Sequence, residues 1–242
     1  MLSSDQITLS IVSHGQASLI CSLLSDLAEL PQQNFEVLIT VNVPEDESPY
    51  HDQPFPVRII RNDTPKGFGA NHNAAFSHSA SRWFAVINPD IRIKVIDLQT
   101  LLSPFQNESV AAVAPLVLSD EGKVEDSARR FPTLVRLVKR VVFRQRDADY
   151  AVRAAPYPVD WVAGMFVVFR HDAYQQVGGF DERRFFMYFE DADICRRLGK
   201  TGWLVLVNPN VHVIHMAQRA SHRNLKHMRW HAVSAFRFLS GL

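Results

Sequence analysis

Three acids stand together in FFMYFEDADICRRL (185–198): Glu190, Asp191 and Asp193 follow five consecutive apolar residues and open a helical pattern. Aspartate is favoured at helix starts by capping and by the helix dipole, which accounts for one of the three. Three carboxylates behind an apolar run are half desolvated and repel one another, the setting of a general base or a polar-substrate site. Arg196 and Arg197 lie one turn further on and can neutralise part of that charge. A second acid, Asp90, sits in Asn88-Pro89-Asp90 directly after the apolar run WFAVI (83–87). NPD is a turn sequence in its own right. At a strand tip its carboxylate also suits a hard divalent cation such as Mg²⁺ or Mn²⁺, which takes few protein carboxylates and fills its shell with phosphate oxygens and water. KGFGANHN (66–73) places Gly67 and Gly69 at a helix start, either an ordinary strand-to-helix turn or a backbone able to approach an anion. The chain holds no GxxxxGK[ST], GxSxG, HExxH or CxxC, and no GxGxxG follows the first strand. Of ten histidines, His212, His215, His222, His227 and His231 cluster near the end of the chain.

These residues need elements to carry them. The first half alternates strand-like runs, ITLSIVSH (7–14), FEVLITV (35–41), PVRII (56–60), WFAVI (83–87) and VAAVAPLVL (110–118), with helical patterns at 19–27, 69–80 and 97–106. Such alternation predicts a mostly parallel sheet covered by helices on both faces. Ligands of such sheets bind at the carboxyl ends of the strands, so the loops after residues 14, 41, 61 and 87 are the places to look. In the second half the pattern predicts a turn at 120–122, a basic amphipathic helix over 132–145, one buried strand over 161–169, a helix over 191–203, a strand over 204–207 and a final helix over 221–240. A single domain over 1–220 is expected, with a nucleotide-binding half at about 1–118 and an acceptor half at about 119–220, followed by a basic C-terminal helix at 221–242.

The 242 residues are 47% hydrophobic and 21% charged, a globular composition that excludes a disordered or collagen-like chain. The longest apolar run, Trp161–Phe169, is far short of the ~20 residues of a membrane span, and the first ten residues lack the pattern of a signal peptide. Cys21 and Cys195 make no zinc-type spacing, which fits a reduced, cytoplasmic chain. The net charge of +1 conceals an asymmetry: residues 194–242 hold eight Lys and Arg and no acid, and 127–146 is a second acid-free basic run. The bland reading is a solvated helix face; the functional one is an anionic partner, whether phosphate, nucleotide or lipid headgroup. In 132–145, Leu134, Leu137, Val138, Val141 and Val142 form one apolar stripe flanked by Arg136, Lys139, Arg140 and Arg144, a pattern shared by interfacial helices and by helices packed on a sheet.

In order along the chain, NDTPKGFGANHNAAF (62–76), INPDIRI (87–93), APLVLSDEGKVEDSARRFPT (114–133), the block VDWVAGMFVVFRHDAYQQVGGFDERRFFMYFEDADICRRLGKTGW (159–203) and NPNVHVIHMAQRAS (208–221) resemble the family-2 glycosyltransferases, in particular bacterial rhamnosyltransferase-like members. The resemblance implies a nucleotide-sugar-binding α/β/α sandwich of GT-A type and inversion at the anomeric carbon. It implies a divalent metal, Mg²⁺ or Mn²⁺, on Asp90 and His215, with Asp191 as general base and Glu190 and Asp193 orienting acceptor or base. It places Trp161, Gly164 and Met165 at the donor–acceptor junction, and Ser13, His14, Asn42, Asn62, Gly67, Asn73 and Asn88 on the donor. The implied partners are a nucleotide-diphosphate sugar and a glycan or lipid-linked acceptor in surface polysaccharide synthesis, with an anionic membrane surface in addition and no nucleic acid. Two loops depart from the family: the first strand ends in SHGQ instead of T/S-Y-N, and the second in TVNVPED, where Asn42 stands for an acid and only Glu45 or Asp46 can supply the charge. Those loops favour a non-catalytic carbohydrate- or membrane-binding protein as the alternative; a sugar nucleotidyltransferase would need a Gly-rich basic loop that SHGQAS lacks.

Overall fold

The structure is a computed structural model that describes residues 6–31, 34–94, 96–133, 136, 148–216 and 225–241. The helix expected over 132–145 lies almost wholly outside the described residues, as do 221–224 of the final helix. The chain runs β1 (Ile7–Ser13), α1 (Ala17–Ala28), β2 (Phe35–Val41), β3 (Val57–Arg61), α2 (Phe68–Phe76), β4 (Trp83–Ile87), β5 (Ile91–Arg92), α3 (Leu98–Leu102), β6 (Val110–Ser119), β7 (Ala128–Arg129), β8 (Tyr157–Pro158), β9 (Trp161–Val162), β10 (Phe166–Arg170), α4 (His171–Gln176), α5 (Glu190–Lys200), β11 (Leu204–His215) and α6 (Leu225–Ser240). Nine strands form one sheet in the order β3-β2-β1-β4-β10-β6-β11-β5, with β8 also on β11, while β7 and β9 make a separate two-stranded ribbon. β3, β2, β1, β4, β6 and β11 run the same way; β10 is inserted antiparallel between β4 and β6.

Strand pleating sorts the core. Leu9, Ile11, Val37, Ile39, Ala85, Ile87, Val113 and Val168 face one side and bury Ile20, Leu23, Leu24 and Leu27 of α1. Their alternates Leu38, Phe84, Val86, Ala112, Val167 and Phe169 face the other and bury Ala75, Tyr174, Ile194 and Leu198 of α2, α4 and α5. Both faces are therefore covered, which is why β2 and β4 are buried at every position. On the second face, Ser10 Oγ and the buried His72 Nδ1 share a 2.8 Å hydrogen bond, and burial pushes the His72 pKa down to about 3, leaving the ring neutral.

The expected single strand over 161–169 is in fact two. Chain geometry breaks at Ala163–Met165, where a Cβ on Gly164 would lie 2.9 Å from Phe68 Cζ. β9 turns aside there to pair with β7, and β10 enters the main sheet. The strand expected over 204–207 continues to His215, pairing with β6 through Ser119. No helix among the described residues is long and apolar enough to cross a membrane.

Candidate active site

The carboxyl edge of the sheet gathers two poles. The first is built by β5, a two-residue strand that pairs antiparallel with the end of β11 and sets Ile91 opposite His215. The Asp90 carbonyl accepts from Met216 N–H at 2.8 Å, and Asp90 Oδ2 comes 3.2 Å from His215 Nε2. Asp90 Oδ1 is buried without a hydrogen-bond partner. On the far side of the ring, His215 Nδ1 is 2.8 Å from Glu125 Oε2. Flanked by two carboxylates, the imidazole is raised to about 9, chiefly by its hydrogen bond to Asp90. Glu125 was not among the expected site residues. It arrives from the segment after β6, held by its own N–H on the Val117 carbonyl.

Among the described residues, no three or more His, Cys, Asp or Glu side chains are arranged to hold a metal by themselves. The pair Asp90 and His215 nevertheless fits a divalent ion shared with a ligand. Asp90 has an unpartnered buried oxygen aimed at no protein donor. Glu125 on Nδ1–H is the carboxylate that fixes the tautomer leaving Nε2 as a ligand. Mg²⁺ and Mn²⁺ complete their shells from phosphate and water.

The second pole is the start of α5. Asp191 Oδ2 accepts from Gly164 N–H at 3.1 Å, and Oδ1 from Ala192 N–H at 2.8 Å. Glu190 is buried, with Oε2 unpartnered. Burial raises both pKa values, and the charge of Asp191 raises Glu190 further. The backbone donors of Ala192 and Gly164 and the positive charge of Arg129 oppose the rise at Asp191. An upward shift makes the Asp191 carboxylate a stronger proton acceptor than an ordinary aspartate.

Two adjacent residues join the poles: Met165 O accepts from Asn88 N–H at 2.8 Å, while Gly164 N–H holds Asp191. Trp161 lines a cavity of about 320 Å³ together with Glu190, Asp191, Tyr188, Phe189, His231, Arg129, Arg130, Arg136, Pro132 and Asp149. Gly164 and Met165 link the two poles through their backbone, and Trp161 lines the cavity beside Asp191.

The residues before α5 adopt an uncommon backbone. Tyr188 and Phe189 have φ of 72° and 67°, a left-handed region that costs non-glycine residues roughly 1–2 kcal/mol each. α6 holds this turn in place. Tyr188 OH and His227 Nδ1 share a 2.8 Å hydrogen bond, Ser234 Oγ–H donates to Met187 O at 2.8 Å, and Phe186 packs on Trp230. The C-terminal helix is thus part of the frame that aims Glu190 and Asp191.

Two expected site residues lie elsewhere. Asp193 is fully buried and faces away from the cavity, its oxygens taken by Arg197 at 2.7 Å, Arg196 at 3.0 Å and Arg184 at 3.4 Å. Two residues beyond Asp191 on a helix, it points to another side, and it pins α5 instead of touching an acceptor. Asn73 is spent on the loop after α4: Nδ2 donates to Phe180 O and Glu182, while Oδ1 accepts from Tyr174 OH and Phe180 N–H. A Cβ on Gly67 would clash with Phe186 O, the same carbonyl that accepts from Phe68 N–H.

The remaining donor candidates gather at the carboxyl ends of β1–β4. Buried Ser13 Oγ accepts from Gln16 N–H at 3.2 Å and fixes the turn into α1. Exposed His14 bonds Asn42 Nδ2 through Nδ1 at 3.2 Å. Asn42 Oδ1 accepts from Lys66 N–H and Asn62 Nδ2, and its Nδ2 also donates to Lys66 O. A carboxylate cannot make that last bond, so the amide at position 42 serves as a loop cross-link. Glu45 and Asp46 are engaged locally, by Tyr50 OH and Ser48 N–H. A larger, open hollow of about 550 Å³ beside Asn73, Tyr174 and Arg197 shares no residue with the Asp191 cavity.

A sheet of this order, with an acid at the tip of its fourth strand and a carboxylate pair across the junction, is the GT-A arrangement. Residues 5–232 match the family model described as "Glycosyltransferase like family 2", and the chain belongs to that family of glycosyl-transferring enzymes. It is 28% identical to the N-acetylglucosaminyl-diphospho-decaprenol L-rhamnosyltransferase of Mycobacterium tuberculosis, over 98% of this chain and 85% of that one. It is 28% identical to the rhamnosyltransferase WbbL of Escherichia coli, over 95% of this chain and 91% of the other. Among solved structures, GalNAc-T7 with UDP, GalNAc and Mn²⁺ superposes with a TM-score of 0.68 at 14% identity, over 88% of this chain and 44% of that one. The mannosyltransferase PcManGT of Pyrobaculum calidifontis, in complex with GDP-Man and Mn²⁺, gives 0.62 at 17% identity over 98% and 67%.

Proposed function

We propose that the chain is an inverting glycosyltransferase that moves a sugar, rhamnose by the names of its relatives, from a nucleotide-diphosphate donor to a hydroxyl of a lipid-linked or glycan acceptor in bacterial surface polysaccharide synthesis. The observation that carries this reading is the pair of poles, Asp90–His215 and Asp191–Glu190, coupled through Met165 and Gly164. Asp90 and His215 would hold the divalent ion, with Glu125 orienting the ring. When bound, the ion supplies positive charge for the diphosphate as it leaves. Asp191 takes the proton from the acceptor hydroxyl as its oxygen bonds to the anomeric carbon. The bond from that carbon to the phosphate oxygen breaks on the opposite face, so one displacement inverts the centre. Protonated Glu190 keeps a second negative charge out of the site, and Trp161, Tyr188 and Phe189 offer apolar faces to the acceptor sugar.

The working place we infer is the cytoplasmic face of the membrane. α6 exposes Met228, Val233, Phe236 and Leu239 while Ser234 and Phe238 face inward, and the segment after Asp193 is free of acids. This combination suits peripheral binding to anionic lipid. The function is tested with a panel of nucleoside-diphosphate sugars, with Mn²⁺, Mg²⁺ or EDTA, reading release of the nucleoside diphosphate. Metal-dependent release from one donor supports transfer chemistry; none from any donor supports a binding protein.

A further inference from the structure

The Asp191 cavity is lined by three arginines, of which only Arg129 acts on a pole, through its charge on Asp191. Arg129, Arg130 and Arg136 share it with Trp161 and the Tyr188–Asp191 turn. The ribbon β7–β9 carries Arg129 opposite Trp161 in the register, with Arg130 directly after it, and Arg136 comes from the segment that follows. This strap is locked by its neighbours: Trp161 Nε1–H donates to Arg130 O at 3.0 Å, Phe131 N–H to Asp160 at 2.8 Å, and Arg130 N–H to Asp149 at 3.0 Å. Tyr150 OH in turn donates to Asp160 at 2.8 Å.

Two of the guanidiniums lie over aromatic rings. Arg129 sits 5.3 Å from the centre of Trp161 and Arg130 5.2 Å from that of Tyr150. A cation held over an aromatic face keeps N–H groups for acceptors, which suits phosphate. Arg129 gives Nε–H to the Asp126 carbonyl and carboxylate, and Arg136 gives one N–H to Phe131 O at 3.3 Å. Each guanidinium has five N–H donors, so these contacts leave the planar edges largely uncommitted among the described residues. The acids that share the lining are Asp149, which holds the Arg130 backbone, and the pair Glu190 and Asp191.

We propose that Arg129, Arg130 and Arg136 form a seat for a phosphate or diphosphate group on the acceptor, a second anion site separate from the one at Asp90. It rests on reading this cavity as the acceptor side. An acceptor sugar that carries a diphosphate would then be held by its anionic end at the strap while one of its hydroxyls meets Asp191. The seat selects the substrate class, because a neutral glycoside offers no charge to Arg130 and Arg136 and none to Arg129 beyond its pair with Asp126.

The test is calorimetric titration of the full chain with decyl diphosphate, inorganic pyrophosphate and neutral decyl maltoside, all in EDTA and without donor. Decyl diphosphate is expected to bind, and to bind equally to Asp90→Asn. Arg130→Gln and Arg136→Gln are each expected to weaken it about tenfold or more, as loss of a charge-assisted contact requires, with unchanged melting temperature and no binding of the maltoside. Decyl diphosphate binding tighter than pyrophosphate assigns the seat to lipid-linked acceptors, and equal binding to soluble sugar phosphates. Binding that vanishes in EDTA or in Asp90→Asn, that survives both arginine variants, or that does not occur at all overturns the seat. Donor release is measured separately, so failure of the transfer reading and failure of the seat are told apart. If Arg130→Gln does not fold, Arg136→Gln decides.

Discussion

Replacing Asp193 with Asn isolates what its charge does, because the amide keeps the volume and loses the anion. The side chain is 0% exposed and pairs with Arg184, Arg196 and Arg197, whose side chains are 23–26% exposed. Those arginines cannot swing out to water freely. Arg197 also donates to Val177 O and Gly179 O, Arg196 to Phe238 O, and Arg184 to Arg237 O. Breaking a buried ion pair from one side costs about 3–5 kcal/mol, and the partial exposure of the guanidiniums places this case near the lower end, about 3 kcal/mol. For a chain of this size that lowers Tm by roughly 6–12 °C. Urea unfolding followed by circular dichroism measures the loss, and turnover per folded molecule is measured beside it. The structure predicts lower stability with turnover within about threefold, since Asp193 does not reach the cavity. A loss under ~1 kcal/mol together with a large fall in kcat would refute the assignment and return Asp193 to the acceptor.

Gly164→Ala should lower stability by about 1–3 kcal/mol, because its Cβ would press on Phe68, which packs against His72 and Phe180. It should cut kcat more than tenfold, because the Gly164 N–H that aims Asp191 must shift; unaltered turnover in a folded variant would contradict this. Glu190→Gln should raise stability at neutral pH by on the order of 1–3 kcal/mol. The sign follows from its raised pKa: between the unfolded and folded values the native state binds more protons, so Glu190 costs stability increasingly as pH rises through that window. The gain from Gln should therefore fade toward pH 4, and melting curves at several pH values read it directly.

Much of the fold is legible in the sequence because a strand buried on both faces must be continuously apolar, as 35–41 and 83–87 are. The resemblance, not strand pattern, pairs Asp90 with His215, and they lie 3.2 Å apart. Glu125 escapes notice because its partner is 90 residues away and nothing local marks an acid in a loop as facing an imidazole. Asn73, which the resemblance put on the donor, has partners that no local pattern marks, in the loop after α4, 107 residues on. The helix α4 is too short to show a period, and Gly164 inside an apolar run hides a chain reversal behind a strand-like pattern. Of the three clustered acids, spacing alone does not say which face each takes. Only the packing of α5 separates Asp193 from the pair at the cavity.

The central claim, that Asp191 removes the acceptor proton, is tested most directly by Asp191→Asn, with kcat and donor affinity measured on the same preparation. Asn preserves an acceptor for Gly164 N–H and removes the base. The account predicts a fall in kcat of ~10²–10⁴, an unchanged donor Kd because the donor lies at the Asp90 pole, and a melting temperature close to the parent. Turnover within threefold of the parent, with any change confined to stability, would show that Asp191 only caps α5.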